Sequence, residues 1–219
     1  PSRLHGNLVT AGESFDEFVR AFHRKFRKEL GREKRVFEAF EGAQFIAVKS
    51  LTEADDVMSA LEHIQAARMS ALERDYDLDT AAKQEFYRAL LHDGLVDGSV
   101  SLTALKVRDD IIAALFCINR DGHCAMVRIA QAGGEWSVCS PGRLIIMETM
   151  RWLHLQGFRT FDFTIGAYDY KRRLGAAHVP LARVMIALSV RGQMTVMWER
   201  LRDRMRAAPW LRTWVQWLR

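Results

Sequence analysis

Between Ser99 and Ala130 the hydrophobic period changes from helical to two-residue alternation, and that change most restricts the fold. Three short apolar runs, Ser99–Val107, Ile111–Asn119 and His123–Ala130, are separated by the turn sequences Arg108-Asp109-Asp110 and Arg120-Asp121-Gly122. Runs of this length joined by tight polar turns predict an antiparallel meander. The middle run is apolar on both faces, as expected of a central, fully buried strand. A helical bundle is thereby excluded. So is a membrane span, because Ile111–Ile118, the longest apolar stretch, is far short of the roughly 20 residues needed.

Helical patterns flank the meander. Ser14 and Glu17 have capping-box spacing, and Phe15, Phe18, Val19, Phe22, Phe26 and Leu30 then recur at three- and four-residue steps towards Gly31. A strand is predicted at Gln44–Lys49. A second helix starts at Leu51, carrying Val57, Leu61, Ile64, Ala67 and Leu72, and a third runs from Asp79-Thr80 to a stop at Gly94. After the meander, Ser140-Pro141-Gly142 opens an apolar helix that ends at Gly157. Thr160–Ile165 alternates strictly, with Phe161, Phe163 and Ile165 on one face and Asp162 on the other. A short segment, Ala167–Leu174, leads to a last predicted strand over Arg183–Val190, then to a helix over Gln193–Ala207. The expectation is a mixed α/β (α+β) fold with a largely antiparallel sheet. It divides into a basic helix and strand over residues 1–50, a central domain over 51–192 and a tail over 193–219.

Charge is uneven. Arg20–Arg35 holds eight basic residues against two acidic ones, and Trp198–Arg219 holds six arginines against two acids, leaving the rest of the 219-residue chain net acidic. Two basic ends point to an anionic partner, against the plainer alternative of a solvated helix face. The three cysteines lack CxxC spacing and the seven histidines lack ligand spacing, so neither a disulfide framework nor metal catalysis is expected. A chain opening Pro1-Ser2-Arg3 is expected to be a fragment. Trp210, Trp214 and Trp217 fall on one helical face of the tail, which is expected to pack on the protein itself rather than lie in a membrane interface.

Ser140-Pro141-Gly142-Arg143 is the first chemical candidate. A helix start exposes unpaired N–H groups and the positive end of a dipole, Gly142 permits close approach, and Arg143 adds a cation. A plain Ser-Pro helix start with an exposed arginine is the competing explanation. The order of three strands, helix start, strand, short helix and strand resembles the GNAT acyltransferase fold. Within it, the chain is similar to the CelD/BcsL-type acetyltransferases of cellulose and exopolysaccharide production, and to the FemAB-type aminoacyl transferases that build peptidoglycan cross-bridges. The matching stretches are Lys25-Phe26-Arg27-Lys28-Glu29-Leu30, Ser140-Pro141-Gly142, Phe161-Asp162-Phe163, and Gly166 with Tyr170-Lys171-Arg172.

That resemblance implies acetyl-CoA or another acyl-CoA as donor. Its pantetheine arm would pair with His123–Ala130, touching Ile129 and Ala130, and its phosphates would lie at Ser140, Gly142, Arg143 and Leu144. Ser140-Pro141-Gly142-Arg143 departs from the usual GNAT phosphate loop, and the FemAB-like relatives take their acyl group from aminoacyl-tRNA instead. For chemistry the candidates are Asp162, to orient or deprotonate the acceptor, Tyr170, to return a proton to the leaving group, and Lys171, to hold an anionic acceptor or the oxyanion. Tyr168 is the rival tyrosine, and Asp162 could equally pair with Lys171 or Arg172. The expected acceptor is an amine or hydroxyl on a sugar or cell-envelope precursor, in a cytoplasmic setting. Peripheral contact with a membrane or anionic polymer is a further expectation, as part of a non-catalytic alternative, and specific DNA binding is not expected.

Overall fold

The computed structural model describes residues 5–73, 80–166, 168–182 and 184–207. The described residues up to Pro180 form one compact unit, and those from Leu181 onward fall in another. In the larger unit, the predicted meander is present as β3 (Val100–Val107), β4 (Asp110–Arg120) and β5 (His123–Gln131). It is extended on one side by β2 (Ala43–Ala47), and beyond β5 by β6 (Thr160–Asp162), β1 (His5–Thr10) and β7 (Ala177–Pro180). The seven strands lie in the order β2-β3-β4-β5-β6-β1-β7, all antiparallel except β5 with β6.

Helices cover both faces. On one face lie α1 (Phe15–Arg20), α2 (Arg24–Glu38) and α5 (Pro141–Leu155), packing Phe15, Phe26, Phe37, Leu144, Ile145 and Phe161 into one core. On the other lie α3 (Leu51–Ala71) and α4 (Ala81–Asp97), burying Val57, Met58, Leu61 and Leu91 against Leu102, Ala114 and Phe116. A 3-10 turn, Gly134–Cys139, joins β5 to α5, and a short helix α6 (Asp169–Arg173) follows β6.

Several boundaries differ from the sequence reading. The first predicted helix is two: Ala21 ends α1, and the ring Nδ1 of His23 accepts the Lys25 N–H to start α2. Gly31 sits inside α2 with open space around its Cα, so it stops nothing. Nor does Gly94 end its helix. A Cβ there would lie 2.4 Å from Val100 Cγ2, so the glycine lets α4 touch β3, and the helix ends at left-handed Gly98.

The smaller unit corrects the last predicted strand. Val184, Ile186, Leu188 and Val190 are 76–93% exposed and no strand is formed there; the pairing falls to Ala177–Pro180 instead. α7 (Val190–Ala207) follows. The tryptophans expected to pack the tail lie outside the described residues.

Candidate active site

Three local structures carry the candidate residues: two meet at the end of β6, and the third lies apart, under α2. The first is a fork. β5 pairs in parallel with β6 only at His123–Ala125, opposite Thr160–Asp162, so from Met126 onward β5 has no strand on that side. At the same place the ladder to β4 slips, with Cys117 opposite Met126 and Phe116 opposite Arg128. The slip leaves Val127 as an extra, bulged residue, which bends the strand and reverses which face each later side chain meets. Arg128 and Ala130 thus turn to the α3/α4 face, while Ile129 packs on the α5 side.

Arg128 is 1% exposed. Its Nε and Nη2 donate to Gln65 Oε1 at 3.2 and 2.6 Å, and its guanidinium lies 4.8 Å from the centre of the Tyr87 ring. Gln65 Nε2 in turn donates to the Ile129 carbonyl at 3.0 Å. A buried cation, a glutamine on α3 and a tyrosine on α4 therefore hold the forked end of β5 from behind. Sequence reasoning passed over Arg128. Its signal was a charged residue within an otherwise apolar strand.

The second structure is the loop that leaves β6. Asp162 Oδ1 accepts the Thr164 N–H at 2.7 Å, an Asx turn that holds Thr164 at φ 61°. Lys171, 3% exposed, points its ammonium into this loop and donates to the carbonyls of Phe163 (2.7 Å), Ile165 (2.7 Å) and Thr164 (3.5 Å). Asn7, reaching across from β1, donates to Thr164 O and Gly166 O. All three protons of the ammonium are thereby committed to backbone. Burial lowers the Lys171 pKa, while nearby Asp162 acts in the opposite direction. Tyr170 is half-buried beside Phe163 and stacks near Tyr168, with ring centres 6.1 Å apart. Its pKa is raised by burial and secondarily by Tyr168, which keeps the phenol protonated.

The third is the start of α5. Ser140 occupies the cap position in the left-handed region (φ 47°), and its carbonyl accepts from Arg143 N and Leu144 N. Its hydroxyl does not cap the helix. It donates to Glu33 Oε1 at 3.0 Å, and Arg143 donates to the same oxygen. Arg143 also pairs with Glu29 at 3.5 Å. Glu33 is fully buried, and burial raises its pKa against the opposing pull of Arg143 and Ser140. Gly142 is covered by the amide of Gln131, whose Oε1 stands 1.6 Å from where a Cβ would be. The helix start is thus already occupied by a carboxylate supplied from α2. Helical spacing places Glu33 in the apolar stripe of Phe26, Leu30 and Phe37, a signal that would have revealed its burial.

Asp162, Tyr170 and Lys171 are therefore brought together around one loop, with Ile129 and Ala130 on the forked strand beside it. Ser140, Gly142, Arg143 and Leu144 gather separately, under α2.

A family model described as acetyltransferase (GNAT) domain matches residues 24–172. The chain belongs to that family. The GNAT domain runs from the start of α2 through α6, taking in the fork, the Lys171 loop and the start of α5. No curated protein sequence matches the chain. Among solved structures, FemX superposes with a TM-score of 0.62 at 9% identity, over 80% of this chain and 59% of that one. The C-terminal domain of a protein described as a lysylphosphatidylglycerol synthetase from Agrobacterium fabrum gives 0.52 at 14% identity, over 81% and 59%. Both likenesses concern the fold, and the chain spans about three-fifths of either relative. No helix among the described residues is long and apolar enough to cross a membrane.

Proposed function

We propose that this GNAT domain transfers an acyl group from an activated carrier to an amine or hydroxyl of a sugar or cell-envelope precursor. The fork between β5 and β6 carries this reading. It offers the backbone of Met126–Gln131 to an extended donor arm and ends on a loop carrying Asp162 and Tyr170. The acceptor nitrogen or oxygen attacks the donor carbonyl and a new N–C or O–C bond forms. The carbon–sulfur or carbon–oxygen bond to the carrier then breaks. Asp162 is suited to take the acceptor's proton, and Tyr170, held protonated, to give one to the departing carrier. Lys171 acts one step back, as a positioning residue that fixes the loop.

The family makes acyl-CoA the general expectation for the donor. The start of α5 does not fit a CoA pyrophosphate as it stands, because Glu33 lies there and Arg143 is bound to it. That occupancy favours a second reading, in which the carrier is aminoacyl-tRNA, as in the FemAB-type enzymes whose fold this chain shares. The test is a transfer assay on the purified chain, with acetyl-CoA and with charged tRNA in parallel, scanning amine and hydroxyl acceptors by mass spectrometry. A mass increment on an acceptor with one donor only supports the reading and names the carrier. No transfer from either donor overturns it.

A further inference from the structure

The apolar residues of α7 lie on its outside. At about 100° per residue, Val190, Met194, Met197, Trp198 and Leu201 fall within one arc of about 100°. All five are 48–76% exposed, whereas Val196 and Glu199, on the other side of the helix, are half-buried. A surface helix of a globular domain has the opposite arrangement, with its apolar stripe covered and its polar side in water. We propose that this arc seats α7 along the surface of an anionic lipid bilayer.

The charge pattern names the partner. Arg191 and Arg202 border the arc beyond Trp198, Arg200 stands beyond Met197 on the other side, and Glu199 lies nearly opposite its centre. Arg202 donates to Glu199 at 2.5 Å, which keeps that carboxylate on the polar side. Over its whole length α7 carries five arginines against two acids. Cations flanking an apolar stripe, with the acid turned away, match a layer whose phosphates stand level with the arginines and whose acyl chains lie beneath. A tryptophan at the border of the stripe suits the same boundary, where its ring meets hydrocarbon and its N–H meets water. A protein partner would cover the arc without calling for cations on both sides of it. An RNA would use the cations and leave the arc in water. No helix among the described residues is long and apolar enough to cross a bilayer, so α7 lies in the interface.

The uncovered apolar surface continues upstream. Val184, Ile186 and Leu188 are 76–93% exposed, and Ser189 then accepts the Gly192 N–H on its hydroxyl at 3.1 Å, which starts α7. The chain thus enters the helix with apolar side chains already in solvent. At about 1.5 Å per residue α7 is about 27 Å long, enough to lay its arc on a bilayer over five turns. Such a seat would serve a transferase acting on envelope precursors, and it stands whether or not that activity does.

Co-sedimentation of the full chain tests the seat, with vesicles of phosphatidylcholine alone, vesicles of phosphatidylcholine mixed equally with phosphatidylglycerol, and a single-stranded RNA as a separate probe. A second measurement labels Met197→Cys with an environment-sensitive dye, since the native thiols Cys117, Cys124 and Cys139 are buried. Binding to the anionic vesicles is expected, weakened by salt, with the dye's emission shifted to the blue. Trp198→Glu, and separately Arg191→Gln with Arg200→Gln, should each weaken that binding at least about tenfold with melting temperatures kept. Arg108→Gln with Arg120→Gln removes the same charge from exposed positions of the larger unit and should cost less than about twofold. Equal loss in that control pair would reduce the attraction to net charge and overturn the seat. Equal binding to both kinds of vesicle, binding to RNA but not to vesicles, or binding to neither overturns it too. A dye already shielded in the lipid-free protein would mean that protein covers the arc, and the seat falls.

Discussion

Replacing Lys171 with methionine keeps the length and apolar stem of the side chain but deletes its ammonium. Three backbone carbonyls then lose their donor, of which Thr164 O retains Asn7 Nδ2. Phe163 O and Ile165 O, each bonded at 2.7 Å, are left to find new partners. An unsatisfied buried acceptor costs about 1–3 kcal/mol, so the two together cost about 2–6 kcal/mol. Against this stands relief from holding a charge away from water, the effect that lowers the Lys171 pKa. A net loss of about 3 kcal/mol follows. For a chain of this length that is a drop in melting temperature of about 6–12 °C. Hydrogen exchange gives the local measure: the Thr164 amide, held by Asp162, should lose its protection as the loop loosens. A variant melting within 1–2 °C of wild type, with the Thr164 amide still protected, would refute the idea that the ammonium knits this loop.

Other substitutions probe the helices around the site. Gly31→Ala in α2 has open space to fill, and should raise the melting temperature through about 0.5–1 kcal/mol of helix propensity in a thermal melt. Gly94→Ala should lower it by about 1–3 kcal/mol equivalent, because the new methyl meets Val100, and Val100→Ala in the same chain should recover most of the loss. Glu33 has a raised folded pKa, so protonation favours the folded state, and its stabilising share is lost as pH rises through that value. Subtracting the Glu33→Gln melting curve from wild type between pH 4 and 8 should therefore give a difference that falls with rising pH from about 4.3 upward. A flat or rising difference would mean that Arg143 and Ser140 outweigh the burial.

The sequence-local parts of this fold were the legible ones. The meander is written in alternation and two polar turns, and α3 and α5 begin at Leu51 and Pro141 as the sequence predicts, although the Ser140 hydroxyl turns to Glu33 instead of capping α5. What depended on distant partners was not legible. His5–Thr10 contains a glycine, an asparagine and a histidine and has little strand character, yet it is held between β6 and β7. The Arg183–Val190 stretch alternates well, yet its described residues, 184–190, form no strand, and the place beside β1 is taken by Ala177–Pro180. At the candidate site, Asp162, Tyr170 and Lys171 stand near one another in the chain and lie around one loop in the structure. The contacts of Lys171 were not legible, since it meets backbone carbonyls that carry no mark in a sequence. Glu33 and Arg128 did carry a mark, a charged letter in an apolar stripe, and were passed over as solvated positions although both are buried.

The position of β1 governs the order in which this protein can be made. Within this chain His5–Thr10 is made before its neighbours, Thr160–Asp162 and Ala177–Pro180, which follow about 150 residues or more later. Until those neighbours are made β1 lacks both its partner strands, while β2 to β5 and α3 to α5 close among themselves through short connections. The Lys171 loop also waits for Asn7, so the site takes shape only as the chain's early and late portions meet. Long-range closure of this kind is slow compared with the zipping of a meander. The early half of the sheet can thus stand folded, with one edge of β5 bare, before the late half seals it.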